Sequence, residues 1–253
     1  MRRLGFFLIL VAALVITFSL SHLTSSWHYV LPVEPGQVAY VATFDHLIED
    51  WNQYGGRLEA QVADGVLRLI VGDVDSGPFS TTRQHFADFD LRVQATPIDG
   101  PMDNGYGVIF RLQDGDNITP SDDRYYLFLI SSDGYYEVKR VIGREEKLLS
   151  AWIESPLINQ GIGATNWLRV VANGDRFRFF INGQPVQVCV PNNPDGESTY
   201  FMGECVDGAM QDSLVDSTIP SGQLGVVALS LDEPGVVVEF DNFLVYGPET
   251  ISG

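Results

Sequence analysis

The sequence predicts an all-β protein of antiparallel strands behind an apolar N-terminal leader. Three observations lead there. A dozen strand-sized runs follow one another, from VAYVATF at 38–44 to GVVVEFDNFLVY at 235–246. Asp-Gly or Asn-Gly pairs stand between several of them, at Asp64-Gly65, Asp133-Gly134, Asn173-Gly174 and Asn182-Gly183; both residues of such a pair tolerate positive φ in a tight hairpin. No amphipathic helical pattern follows residue 28. The crossover helices of a parallel α/β sheet are therefore missing, and a sandwich or barrel is expected.

In chain order, the leader comes first. Leu4 to Leu20 is an uncharged apolar run behind Arg2 and Arg3. It sits at the lower limit for spanning a bilayer and exceeds the usual signal-peptide core. The two arginines favour a cytoplasmic N-terminus, which sends the body outside. Ser19 and Ser21 supply small residues at a signal-peptidase spacing, and no cysteine follows for lipid attachment. Residues 1–27 are thus expected to be a transmembrane signal anchor or a cleaved signal peptide. Either places the body extracytoplasmically, anchored by the N-terminal helix or secreted. Residues 28–36 (HYVLPVEPG) read as a short linker, 37–247 as the β domain and 248–253 as a tail.

The whole chain carries a formal charge of −18. Two of its 15 basic residues and none of its 33 acidic ones lie in the leader, so the body holds 13 against 33, or −20. Such a field repels phosphate backbones and anionic lipid, so nucleic acid is not an expected partner; the only membrane contact expected is through the leader. Divalent cations are attracted instead. The two cysteines, Cys189 and Cys205, flank a polar, turn-rich segment. In an oxidising compartment a disulfide is expected, with two free thiols as the alternative.

Alternation assigns the faces. Tyr106, Val108, Phe110 and Leu112 form one set, read as core; Gly105, Gly107, Ile109 and Arg111 form the other, read as an open face. Tyr136 and Val138 likewise oppose Tyr135, Glu137 and Lys139, and Phe177, Phe179 and Ile181 oppose Arg176, Arg178 and Phe180. One sheet is expected to show a polar-aromatic face beside glycines that leave room.

The ordered segments GYGVIFRLQDGDN, RYYLFLISSDGYYEVKRVIG, NWLRVVANGDRFRFFING and FDNFLVY resemble bacterial extracellular domains of the concanavalin A-like lectin/glucanase fold. Within that group they are similar to laminin-G-like and 3-keto-disaccharide hydrolase-related modules. The resemblance covers about residues 38–247 and implies an antiparallel two-sheet jelly-roll sandwich. The motifs are specific for the fold and say little of activity; the function expected is a non-catalytic extracellular module binding carbohydrate or envelope polymer. The alternatives are a glycoside-acting hydrolase or lyase, and a protein-interaction or structural domain. Two stretches depart from the pattern: DGDNITPSDD after Gln113, and the long segment from Cys189 to Gly222.

Chemistry-bearing motifs are sparse. The E-x-D-x-E pattern of a glycosidase strand does not occur; Glu239-Phe240-Asp241 has no third acid. The four histidines (His22, His28, His46 and His85) lack metal-ligand spacing, and there is no G-x-S-x-G elbow or phosphate loop, so no nucleotide cofactor is indicated. Asp114-Gly-Asp116 reads as a solvated turn, and Asn117-Ile-Thr119 matches a glycosylation sequon. Asp241 alternates with Phe243 and Val245 and is expected to face the apolar side, where a carboxylate needs strong donors or a cation. The resemblance implies structural calcium between first and last strands, with Asp45 as companion ligand; backbone N–H donors without metal are the alternative. For a sugar, which stacks its apolar CH face on aromatic rings, the candidate surface is Arg111, Tyr125, Tyr135, Glu137 and Trp152. The competing reading makes each a packing residue.

Overall fold

The computed structural model describes residues 29–46, 49–114 and 122–249. The leader at 1–27, the sequon at Asn117 and the end of the tail lie outside the described residues.

Among the described residues there are nineteen strands and no helix. They are β1 (Val38–Ala42), β2 (Leu58–Ala63), β3 (Val66–Val71), β4 (Phe79–Phe86), β5 (Phe89–Asp99), β6 (Asn104–Gln113), β7 (Arg124–Ile130), β8 (Tyr135–Ile142), β9 (Glu145–Glu154) and β10 (Asn166–Asn173). There follow β11 (Arg176–Ile181), β12 (Gln184–Val186), β13 (Val188–Pro191), β14 (Thr199–Phe201), β15 (Glu204–Val206), β16 (Gly208–Gln211), β17 (Leu214–Val215), β18 (Gly222–Ser230) and β19 (Val236–Tyr246). One sheet runs β12-β11-β10-β5-β19-β3-β2, with β1 on β19 and β17 on β11; the other runs β4-β18-β6-β7-β8-β9. The strand ladders are antiparallel throughout.

The two sheets stack because period-two alternation gives each an apolar face. Leu91, Val93 and Ala95 of β5 meet Tyr106, Val108 and Phe110 of β6 in one core, with Phe128, Leu168, Phe177, Phe179 and Phe240. Phe110 stands at its aromatic centre, stacked on Tyr126 with centroids 5.1 Å apart and edge-on to Phe177 at 5.4 Å. The expected partition of β8 and β11 into core and outward residues is present.

The hairpin turns divide into two kinds. Asp64-Gly65 and Asn182-Gly183 have both residues at positive φ, as the two-residue turn requires. At Asp133-Gly134 and Asn173-Gly174 only the glycine does, so these turns are of other types. Strand β4 has no counterpart among the apolar runs. Its FSTTRQHF buries Ser80, Thr81 and Thr82 and pairs with β18, so hydrogen bonding and position hold it as a strand where alternation gives no signal.

Two bulges correct the assignment of faces. In β6 the register shifts between Phe110 and Gln113, and Arg111 takes a φ of +54°. The extra residue reverses the alternation. Arg111 is consequently buried, with its ring contact to Phe177, while Leu112 joins an outward cluster with Ile109 and Leu127. In β19 the register shifts between Asp241 and Leu244, with Asn242 at +52°. Phe240 and Phe243 are both buried and Asp241 is half-buried, so Asp241 does not share the core-facing phase of Phe243 and Val245. Alternation fails at both places for the same reason: an inserted residue changes the phase of everything after it.

The expected disulfide joins Cys189 to Cys205, with Cα atoms 5.4 Å apart. On the chain-entropy account, closing so short a loop contributes about 3 kcal/mol. The long segment folds as two small antiparallel hairpin sheets, β13-β16 and β14-β15. It docks on the edge of β9: Ser198 N–H donates to Leu148 O, Ala151 N–H to Ser198 Oγ, and Cys189 N–H to Ser150 Oγ. These bonds occupy backbone groups that a bare sheet edge would leave open to other chains.

Candidate functional site

The outward face of the six-stranded sheet is partly apolar. Ile109, Leu112, Leu127, Leu129 and Val227 form a second buried cluster there, with Phe79, Tyr125, Trp152 and Leu229 packed against it. The floor is closed where room beside glycines was expected. A Cβ on Gly105 would meet the Leu229 side chain at 3.3 Å, and one on Gly107 the backbone of Phe128 at 2.2 Å. Gly107 therefore serves the close approach of β6 and β7, and Leu229 fills the space over Gly105.

Above this floor lies a cleft of about 310 Å³ lined by Phe79, Ile109, Tyr125, Leu127, Val227 and Leu229, with Asp75, Lys139 and Glu146 among its polar residues. Phe79 and Tyr125 face each other with centroids 6.3 Å apart and rings inclined at 48°. Burial pushes the Tyr125 hydroxyl up to about 12, and the charges of Glu146 and Asp123 add to the effect. At neutral pH Tyr125 therefore keeps its proton and can donate a hydrogen bond. Lys139 Nζ lies 3.0 Å from Glu146 Oε2 and 3.6 Å from Glu137 Oε1. Burial raises the Glu137 carboxyl, Lys139 opposes the shift, and Glu146 reinforces it. The cleft thus joins two aromatic rings to a neutral hydroxyl, an ammonium and a carboxylate.

Toward β9 the same face bears a second cleft of about 580 Å³, lined by Tyr135, Trp152, Glu154, Gln160 and the hairpin residues Tyr200 to Gly203. Of the expected ligand residues, Tyr125, Tyr135, Glu137 and Trp152 therefore belong to one face, contributed by neighbouring strands β7, β8 and β9. Glu137 pairs with Lys139 and has only 4 % of its side chain exposed. Arg111 is not on this face. Its guanidinium donates to the carbonyls of Ala87, Gly174 and Ile219 on the core side.

Residues 40–245 match the 3-keto-alpha-glucoside-1,2-lyase-like domain family. The chain belongs to that family. The lyase-like domain is similar in fold to the carbohydrate-binding module CBM66 of Bacillus subtilis, at 15% identity and a TM-score of 0.50, over 85% of this chain and 100% of that one. A Bacillus subtilis protein of unknown function with a galectin-like fold aligns at 14% identity and a TM-score of 0.58, over 85% and 98%. The catalytic domain of an endo-1,3-beta-glucanase (laminarinase) from Thermotoga petrophila RKU-1 aligns at 11% identity and 0.53, over 86% and 100%. No curated protein matches the chain. At these identities the likeness shows the shared concanavalin A-like sandwich.

At the opposite sheet, Asp45 and Asp241 are close enough for the Asp45 charge to act on Asp241, whose carboxyl is raised by burial, held back by the Asn242 N–H and pushed further by Asp45. Asn242 N–H donates to Asp241 Oδ1 at 2.6 Å, and Asn242 Nδ2 to Oδ2 at 2.9 Å. In charge the pair suits a cation. In donor count it falls short, since no group of three metal-ligating side chains exists among the described residues and calcium takes six to eight oxygens. Backbone carbonyls and water would have to complete the shell.

Missed in the sequence were Phe79, Glu146 and the hairpin tip. Phe79 sits on the strand without alternation, and Glu146 is one of two adjacent glutamates in a charged run. Only the unusual length of the 189–222 segment pointed toward the tip.

Proposed function

We propose that the outward face of the six-stranded sheet binds carbohydrate, and that the chain is a non-catalytic, extracytoplasmic module for glycan or envelope polymer, displayed or released by its leader. The observation that carries this reading is the cleft in which Phe79 and Tyr125 stand beside Lys139 and Glu146. Pyranose rings present apolar CH faces and hydroxyl edges, and this pairing of rings with charged hydrogen-bonding groups suits both. The fold neighbours support it: one is a carbohydrate-binding module and another a glucanase catalytic domain. In the same proposal, calcium at Asp45 and Asp241 is a fold staple without a part in ligand contact.

A second reading, a lyase or hydrolase on glycosides, draws on the family match and on Glu137 and Glu146 flanking Lys139. Against it stands access, because Glu137 lines neither cleft and has only 4% of its side chain exposed.

The test is an array of defined gluco-, xylo-, manno-, fructo- and chito-oligosaccharides, probed with the full chain and its Tyr125→Leu variant, which keeps apolar packing. Wild type is expected to bind at least one series, and the variant to bind it about tenfold more weakly through the lost ring contact. Silence across the array, or equal binding by both, overturns the reading. Release of sugar fragments by wild type promotes the enzyme.

A further inference from the structure

The hairpin β14–β15 rises beside β9 with an apolar tip. Phe201 is 64% exposed and Met202 88% exposed. Phe201 pairs with Glu204, so Met202 and Gly203 form the whole turn, with φ of +52° and +85°. Two positive φ values define a type I′ turn, whose first position favours Asn, Asp or Gly. A methionine there is uncommon and costs on the order of 1 kcal/mol. The strain holds a large apolar side chain in water, where it contributes nothing to the core.

The tip is held firmly. Cys205, in β15, is bonded to Cys189 in β13, and Ser198, just before β14, is bonded to β9 on both sides of Ser150. Tyr200 Oη donates to Gly203 O at 3.0 Å and braces the turn. Between this wall and the sheet lies the cleft of about 580 Å³, where Tyr135, Trp152, Phe201 and Met202 alternate with Glu154 and Gln160. Trp152 also packs on the apolar cluster that floors the Tyr125 cleft. The two clefts therefore belong to one continuous face, with Tyr125 on β7 and Trp152 on β9 two strand spacings apart across the sheet and about four residues apart along it, roughly 16 Å in all.

We infer that the β14–β15 hairpin forms a second glycan subsite, so that the occupant is an extended oligosaccharide lying across β7, β8 and β9. The inference rests on the carbohydrate-binding reading above and adds chain length to it. The mixed lining selects this occupant: a carboxylate and an amide set among aromatic rings match the hydroxyl edges of a sugar, whereas the centre of a protein interface is depleted in charge. The disulfide is a positioning device, fixing the wall before ligand arrives.

The test uses the same array, with each linkage graded from disaccharide to hexasaccharide. Three proteins are compared: wild type, Tyr125→Leu, and the double variant Phe201→Ala with Met202→Ala. The substituted tip residues are exposed, so folding is not at stake. Wild type is expected to bind long members about tenfold more tightly than the disaccharide, with the double variant losing that gain while keeping disaccharide affinity. If affinity is independent of length while Tyr125→Leu still weakens binding, the subsite is refuted and the central site survives. If no oligosaccharide binds any protein, both fall. If the double variant changes only self-association, the tip is a contact for a second copy and the inference is overturned.

Discussion

Replacing Arg111 by methionine removes a buried cation while keeping an unbranched apolar side chain. The guanidinium makes four hydrogen bonds: Nε and Nη2 to Ala87 O at 3.2 and 2.6 Å, Nη2 to Gly174 O at 2.6 Å, and Nη1 to Ile219 O at 2.9 Å. These carbonyls belong to the β4–β5 turn, the β10–β11 turn and the segment before β18, so one side chain ties three turns at the end of the sandwich. Burial lowers the Arg111 pKa, and the tyrosine and carboxylates around it (Tyr126, Asp88, Asp175 and Asp216) oppose that shift. Three carbonyls left without their donor cost about 1–3 kcal/mol each, and relief of the cation's desolvation returns several kcal/mol. The net loss expected is about 3 kcal/mol. For a domain of this size that lowers Tm by about 6–12 °C. Urea unfolding is the assay, read at constant m so that the midpoint alone reports stability. A variant within about 1 kcal/mol of wild type would refute the tie. Glycan binding by the folded fraction gives the second readout. It should be unchanged, because Arg111 is on the core side of the sheet, and a loss at intact Tm would return Arg111 to the binding surface.

Glu137→Gln tests the buried carboxyl. Its folded-state pKa is raised, so its contribution favours folding below the unfolded glutamate value and is lost as pH rises through the folded one. The stability of the variant relative to wild type should therefore be greater at pH 7 than at pH 3.5 in thermal melts; a difference that is constant or falls toward neutral pH would contradict this. For calcium, millimolar addition should raise the Tm of wild type and leave Asp241→Ala unmoved; equal shifts in both would remove Asp241 as a ligand. A shift in neither would leave the Asn242 donors as the whole account of that carboxylate.

The antiparallel sandwich was legible because its central strands keep strict alternation, as Phe177, Phe179 and Ile181 do against Arg176, Arg178 and Phe180. Four of five expected ligand residues fell on one face for the same reason. Arg111 and Asp241 were misplaced because each adjoins a bulge, where a residue at positive φ adds one position to the count. Nothing in FRLQ or FDNF marks that insertion, since arginine and asparagine both occupy ordinary strands or turns. Phe79 was hidden by a strand whose inward positions are serine and threonine, bonded to Asn52 O and Gln223. Depth was also illegible: Glu137 has the outward phase, yet it is buried. Phase tells which side a residue leaves the sheet on, and what lies above it depends on neighbours from other strands.

Whether this face only binds or also reacts turns on that burial. Acid–base chemistry would need two carboxyls at one substrate, and the candidates are Glu137, raised by burial, and Glu146, with 58% of its side chain exposed. For chemistry both must reach the same substrate atoms. Glu137 has only 4% of its side chain exposed, and the Lys139 ammonium pairs with both carboxylates, at 3.6 Å from Glu137 and 3.0 Å from Glu146. A sugar in the cleft would meet Tyr125, Lys139 and Glu146 and would leave Glu137, which does not line it, untouched. The arrangement accordingly tunes the charge of a binding surface, with the buried glutamate paired to the lysine that lines the cleft. If Glu137→Gln displaces Lys139, glycan affinity should fall although the substituted side chain never touches the ligand.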